Sequence, residues 1–205
     1  MQSWIVTGGV ACGKSSISRI LSDQGGEQTC SFSSDEAVRQ LQNDPTVIDQ
    51  MVAAFGHRAA ARGCDGSVVL DRLWLRERVF ADDSARKLLE SLLHPGVLRL
   101  LTEARGTAAR RPEVNLFLAE VPLYYEIGAP VSADLVIVVA ASRAVQVRRL
   151  MEHRGLDIRI IERMLSAQWP IEAKVERADA VIWNDGDPAA LEQQVLTLAR
   201  QLWYE

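Results

Sequence analysis

The chain has 205 residues, 48% of them hydrophobic and 24% charged, and a formal net charge of −4. This length suits a single domain with room for an inserted subdomain, and the composition is that of an ordinary globular protein with a sizeable core. The acidic balance excludes broad electrostatic binding to nucleic acid or to an anionic membrane, so any polyanionic ligand has to be met by local basic clusters.

Read from the start, Trp4-Ile5-Val6 is a short apolar run stopped by Thr7-Gly8-Gly9, the pattern of a buried strand ending in a turn. Ile17, Ile20 and Leu21 then recur at helical spacing, and Gly25-Gly26 ends that helix. Thr29 to Phe32 reads as a second strand, followed directly by a polar stretch that contains Asp35. From Glu36 to about Arg111 the expectation is almost all helix. Asp44-Pro45 starts one helix and Gly56 stops it, Gly63-Cys64-Asp65-Gly66 is a turn, and the leucine-rich run beyond is expected to break at His94-Pro95.

Strands return with Val114 to Val121, closed by Pro122, and with Leu135 to Ala140, rich in Val and Ile. Arg143 to Gln168 is a basic helical stretch broken at Gly155; Ala180 to Trp183 is a last short strand, and Pro188 to Trp203 a closing amphipathic helix. Strands alternating with helices predict an α/β fold: a parallel sheet flanked by helices and interrupted by a helical insert. The strongest apolar run, Leu135 to Ala141, is too short to span a bilayer. Cys12, Cys30 and Cys64 are scattered and form no metal-ligand set, which suits a reducing compartment. The opening Met1-Gln2-Ser3-Trp4 lacks the basic and apolar regions of a secretory signal, so a cytoplasmic location is expected.

The segment Gly8-Gly9-Val10-Ala11-Cys12-Gly13-Lys14-Ser15 fits G-x-x-x-x-G-K-[ST] at every fixed position. Each fixed residue has a task. Glycines let successive backbone N–H groups turn toward one anion, and the following helix adds its positive N-terminal end. Lys14 is placed to reach the β- and γ-phosphates of ATP, and the Ser15 hydroxyl to ligate Mg²⁺. The match also lies between an apolar strand and an amphipathic helix, the setting in which this loop binds phosphate.

A guanine-reading N-K-x-D motif is absent, since Asn184-Asp185 is not that pattern, and Leu165-Ser166-Ala167-Gln168 is not the L-S-G-G-Q signature of transporter ATPases. A small kinase remains, with an acceptor site in the insert and a basic lid. Asp35 follows the second strand, at the carboxyl edge of the sheet, where a carboxylate either takes the proton of an acceptor hydroxyl or caps the next helix. Glu120 ends the run Leu116-Phe117-Leu118-Ala119, the place of a Mg²⁺-holding acid or simply of a polar strand end. Arg148, Arg149 and Arg154 carry the charge of a lid that neutralises phosphate, or form a solvated helix face. Arg39 and Lys174 are weaker candidates of that kind, Glu126 pairs with a cation, meets substrate or is simply a surface carboxylate, and Trp74, Trp169 and Trp183 suit a core or a stacking surface.

The set of motifs resembles the dephospho-coenzyme A kinase family. The family's T-G-G-x-x-x-G-K-S is Thr7 to Ser15; its D-A-D-x-x-x-R is similar to Ser33-Ser34-Asp35 with Arg39; its L-H-P is Leu93-His94-Pro95. Its V-P-L-L-x-E is like Val121-Pro122-Leu123-Tyr124-Tyr125-Glu126, and its late Q…A-D-x-V-I-x-N-x-G like Gln168 and then Ala178 to Gly186. The resemblance implies phosphorylation of the ribose 3′-hydroxyl of dephospho-CoA by ATP with Mg²⁺. It implies Asp35, Lys14, Arg149 and Arg154 as catalytic residues, and Gly8, Ala11, Cys12, Gly13, Lys14, Ser15, Ser16 and Asn184 on the nucleotide. It further implies Asp35, Arg39, His94, Pro122 and Glu126 on the acceptor, with Ser15 and Glu120 on the metal.

The expected organisation is a core of about 1–36, 112–141 and 169–205, an acceptor-binding insert of about 37–111 and a lid of about 142–168, in a monomer or small homo-oligomer. Three segments depart from the family pattern: Ser33 replaces its first aspartate, Val10-Ala11-Cys12 the commoner I-G-S, and His153 an arginine of the lid. A kinase for another small acceptor, such as a nucleoside monophosphate, and a catalytically silent nucleotide-binding regulator are the two rival readings.

Overall fold

The computed structural model describes residues 1–64, 66–129 and 131–204. The chain forms two compact units, Met1–Ser33 with Ala104–Glu205, and Ser34–Glu103. The strands are β1 (Gln2–Gly8), β2 (Thr29–Ser33), β3 (Ala60–Arg62), β4 (Val68–Leu70), β5 (Leu116–Glu120), β6 (Leu135–Ala140) and β7 (Ala180–Trp183). In the first unit, five of them make a parallel sheet in the order β2-β5-β1-β6-β7. β1 sits at the centre and is buried from Ser3 to Gly8, which is why its sequence shows an apolar run rather than an alternation.

The first unit's helices are α1 (Lys14–Gly25), α6 (Arg143–Arg154), α7 (Ile158–Ser166), α8 (Ile171–Val175) and α9 (Pro188–Tyr204). Trp4, Val6, Leu118, Ile137 and Val139 of the sheet form one core with Ile17 and Leu21 of α1 and Leu191 and Val195 of α9. Full burial of each such aliphatic side chain is worth about 1.5–3 kcal/mol, so this cluster is what holds the sheet's helical layer. Ser142 caps α6 through the Val145 N–H, Asp157 caps α7 through the Arg159 N–H, and Gly155 ends α6.

Register decides what meets at the sheet's carboxyl edge. Glu120 lies opposite Val6 on one side and Ser33 on the other, Gly8 lies opposite Val139, and Ala140 opposite Trp183. Because all the strands run the same way, the residues just past β1, β5, β6 and β7 converge on one edge, where parallel α/β sheets bind ligands.

The second unit contains α2 (Ser34–Leu41), α3 (Pro45–Phe55), α4 (Arg72–Ala81) and most of α5 (Asp83–Ala109). α3 follows its sequence signals: Asp44 accepts the Thr46 N–H at 2.8 Å, Pro45 opens the helix, and the Gly56 N–H closes it on the Val52 carbonyl. Two expectations need correction. The stretch from Glu36 to Arg111 is not almost all helix, because β3 and β4 pair antiparallel, Ala60 with Leu70 and Arg62 with Val68. Strands of three residues leave no periodicity to read, and only the turn between them is visible in the sequence (its Asp65 lies outside the described residues).

The second correction concerns His94-Pro95, which does not end a helix: α5 runs through Pro95 for 27 residues. The pyrrolidine ring removes one N–H, the donor to the Ser91 carbonyl, but the turns on both sides keep theirs, and Leu93, Val97 and Leu101 bury one face across the site. The interruption lies earlier, at Asp82, whose carboxylate accepts the N–H groups of Ser84 and Ala85 and restarts the chain as α5. No helix of the described residues is long and apolar enough to cross a membrane.

Candidate nucleotide and phosphate site

Gly8 to Ser15 connects β1 to α1 at the centre of the sheet's carboxyl edge. Gly8 holds φ 140, and a Cβ there would run into the Val139 carbonyl of the neighbouring strand. Gly13 holds φ 95 at the N-cap of α1, and a Cβ there would meet the Asn184 side-chain nitrogen. Ala11 is in the left-handed region too, at φ 57, a conformation that costs a non-glycine residue about 1–2 kcal/mol. It stands where the family pattern commonly has glycine, so the departure from I-G-S falls on a strained position.

The carbonyls from Gly8 to Cys12 are each held by a side chain. Gly8 accepts from Lys174 Nζ at 3.4 Å, Gly9 from Lys14 Nζ at 2.8 Å and Val10 from Gln146 Nε2 at 2.8 Å. Ala11 accepts from Arg149 Nη1 at 3.1 Å and Cys12 from Asn184 Nδ2 at 2.8 Å. Five successive acceptors thus have a side-chain donor. Each such tether limits the rotation of its peptide, which is what a loop needs in order to present N–H groups to an anion without reorganising.

At the end of the loop the Ser15 hydroxyl donates to Glu120 Oε1 at 2.9 Å. Lys14 and Glu120 are both buried, with 8% of each exposed, so their charges act at short range in a medium poorer than water. Cys12 is fully buried against Gln146 Nε2, and burial pushes its thiol up despite the Lys14 ammonium nearby. Burial therefore favours its neutral thiol form. A cavity of about 650 Å³ opens beside the loop, lined among others by Ala11, Gly13, Ser16, Arg149, His153 and Asn184. That volume suits a small-molecule ligand.

The structure brings together Gly8, Ala11, Cys12, Gly13, Lys14, Ser15, Ser16, Asn184, Arg149 and Glu120. Arg149 also donates to the Asn184 carbonyl at 3.0 Å, whereas Arg154, on the exposed last turn of α6, does not line the cavity; His153 does. Pro122 contributes its carbonyl, an acceptor for Thr7 Oγ1 at 3.3 Å and Lys174 Nζ at 3.5 Å. Of the readings open to Glu126, the structure shows the pairing with a cation: Oε1 lies 2.6 Å from Lys174 Nζ and accepts the Trp169 N–H at 3.1 Å. In the second unit, Asp35 is exposed in the first turn of α2, Arg39 pairs with Glu36 at 2.6 Å on the outer face of that helix, and His94 is half-buried in α5.

Sequence reasoning missed Gln146 altogether, and took Lys174 as a possible phosphate ligand when it lies fully buried beneath the loop. A glutamine in a helix carries no local mark of burial. Trp169 and Trp183, expected in a core or on a stacking surface, are 39% and 45% exposed; Trp169 stacks on Tyr125 with ring centres 6.2 Å apart and lies under the Arg177 guanidinium.

A five-stranded parallel sheet with a Gly-Lys-Ser loop at its centre defines a P-loop kinase fold. The family model for dephospho-CoA kinase (CoaE) matches residues 4–190, and the chain belongs to that family. The dephospho-CoA kinase of Geobacter sulfurreducens is 39% identical over 191 residues, covering 93% of each chain. A crystal structure from Thermus thermophilus superposes with a TM-score of 0.75 at 27% identity, covering 98% of this chain and 97% of that one. The dephospho-CoA kinase structure from Campylobacter jejuni shares the fold, with a TM-score of 0.64 at 23% identity over 100% and 98% of the two chains.

Proposed function

We propose that this chain transfers the γ-phosphoryl group of ATP to the ribose 3′-hydroxyl of dephospho-CoA, giving coenzyme A and ADP. Family membership supports the reaction. The observation that carries it at the site is the hydrogen bond from Ser15 to Glu120 beside Lys14, at the mouth of the phosphate loop. A hydroxyl and a carboxylate are hard oxygen donors, and a magnesium ion that takes one or two protein oxygens fills its shell from phosphates and water. Ser15 and Glu120 would hold Mg²⁺, and the ion would draw off charge from the phosphate oxygens.

The chain's own residues do the rest. The loop amides and Lys14 hold the β- and γ-phosphates, Ser16 and Asn184 border the nucleotide cavity, and Arg149 closes its wall. Asp35 takes the proton of the ribose hydroxyl, whose oxygen bonds to the γ-phosphorus as the bond to the β-phosphate oxygen breaks and ADP leaves. Arg154 meets the charge when the α6–α7 segment closes as a lid and excludes water. Residues of about 37–111, with Arg39 and His94, shape the acceptor site, and Pro122 contributes to it, whereas Glu126 is engaged by Lys174. The protein works as a monomer or small homo-oligomer in the cytoplasm.

Incubation with ATP, Mg²⁺ and dephospho-CoA tests the reading, with Lys14→Ala as the control. Coenzyme A and ADP in equal amounts from the unaltered chain, and none from the variant, are expected. Preference for a nucleoside monophosphate in a panel of acceptors, or no coenzyme A at all, would overturn the assignment.

A further inference from the structure

Lys174 is fully buried and is not among the residues lining the cavity beside the loop; Nζ lies 2.6 Å from Glu126, 3.4 Å from the Gly8 carbonyl and 3.5 Å from the Pro122 carbonyl. Removing two charges from water costs several kcal/mol per ion, and an apolar pair of the same volume would often be as stable. Core stability alone therefore does not call for an ion pair here. What the pair does is gather the ends of β1 and β5: Gly8 opens the phosphate loop, and Pro122, two residues past β5, also accepts the Thr7 hydroxyl.

The same carboxylate reaches a third segment. Glu126 Oε1 accepts the N–H of Trp169, and the neighbouring Gln168 gives its side-chain oxygen to the Val10 N–H at 2.8 Å, inside the loop. Residues 168–174 thus meet the loop at two points, at Val10 through Gln168 and at Gly8 through Lys174, with Glu126 joining the two. This segment directly follows α7, which ends at Ser166.

We infer that Glu126, Lys174 and Gln168 form a brace that sets the orientation of the phosphate-loop peptides and roots the α6–α7 segment on them. They are positioning residues: they touch the loop and not the reacting atoms. Lys174 holds the Gly8 carbonyl behind the loop, its charge is cancelled by Glu126, and Gln168 fixes the Val10 peptide plane. Loss of the brace lets these peptides turn, which weakens the grip on phosphate before it affects anything at the acceptor. The consequence for kinetics rests on the kinase reading above; the consequence for nucleotide binding does not.

The test compares the neutral double variant Glu126→Gln with Lys174→Met, and separately Gln168→Met, against the unaltered chain. Three quantities are read: affinity for a non-hydrolysable ATP analogue by calorimetry, KM for ATP against KM for dephospho-CoA, and thermal unfolding. For the double variant we expect analogue affinity to fall and KM for ATP to rise by about tenfold or more, with KM for dephospho-CoA within about twofold. Gln168→Met is expected to give a smaller change, about threefold, in the same two quantities. Unchanged analogue affinity in folded variants, or an equal rise in both KM values with a lowered Tm, would overturn the brace. If the double variant does not fold, Gln168→Met decides, and an unchanged ATP affinity there rejects the proposal. An unaltered chain that makes no coenzyme A sinks the kinase reading alone, because the analogue titration still reports on the brace.

Discussion

Lys14 and Asp35 divide the proposed reaction into binding and proton transfer, and single substitutions separate them. Lys14→Ala removes the one ammonium that reaches over the loop from α1, so both nucleotide affinity and turnover should be lost. Asp35→Asn keeps the shape of the first turn of α2 but cannot take a proton. ATP-analogue affinity should stay within about twofold while turnover drops by roughly a hundredfold or more, and an unchanged rate in single-turnover assays rejects Asp35 as the base. Gly8→Ala places a methyl group against the Val139 carbonyl at a φ of 140. Its cost should be about 3 kcal/mol or more in denaturant unfolding, and a chain of ordinary stability would show that the strand end yields. Cys12, pushed toward the neutral thiol by burial, should resist iodoacetamide at neutral pH while exposed Cys64 is labelled, as peptide mass spectrometry would read. Since folding raises that pKa, the burial of Cys12 favours the fold below the ordinary thiol range, and this contribution fades as pH climbs through the raised value.

Among the elements, helix starts carry the clearest pH signature. The Asp82 carboxyl is held below its ordinary value by the N–H groups of Ser84 and Ala85, and the Asp157 carboxyl by the Arg159 N–H and then the Arg159 side chain. A lowered folded pKa means that this stabilisation is complete above the ordinary carboxylate range and is lost as pH falls through the folded value. Replacing both by Asn keeps the caps but removes their titration. The variant's Tm should therefore decline less than that of the unaltered chain between neutral pH and pH about 3, and parallel declines would reject the argument. These caps were legible in part: Asp44-Pro45 and Gly155 are local signals and mark element ends. Asp82 was not, because apolar periodicity runs on either side of it, and the β3–β4 hairpin was not, because three-residue strands are shorter than the pattern that reveals a strand.

For the whole molecule, ligand binding and stability are linked. A ligand that binds only the folded state at a hundred times its Kd adds about 2.7 kcal/mol, worth several degrees in Tm for a chain of this size. ATP with Mg²⁺ should give such a shift in scanning calorimetry, and Lys14→Ala should lose it; an equal shift in both would place the nucleotide elsewhere. The loop from Gly8 to Ser15 was legible because its chemistry is contiguous: the residues that turn the backbone, bind phosphate and start the helix are neighbours in the chain. Composition, the order of strands and helices in the first unit, and the family motifs were likewise readable from residue types and spacing alone. Tertiary structure alone decided the partners. Parallel register across β1, β5, β6 and β7 brings Glu120 to Ser15, Gln146 to Val10, Arg149 to Ala11 and Asn184 to Cys12, and it sets buried Lys174 against Glu126 behind Gly8. A side chain's polarity is a property of its residue, but which of many polar groups it meets over a hundred positions away depends on how the sheet is wound.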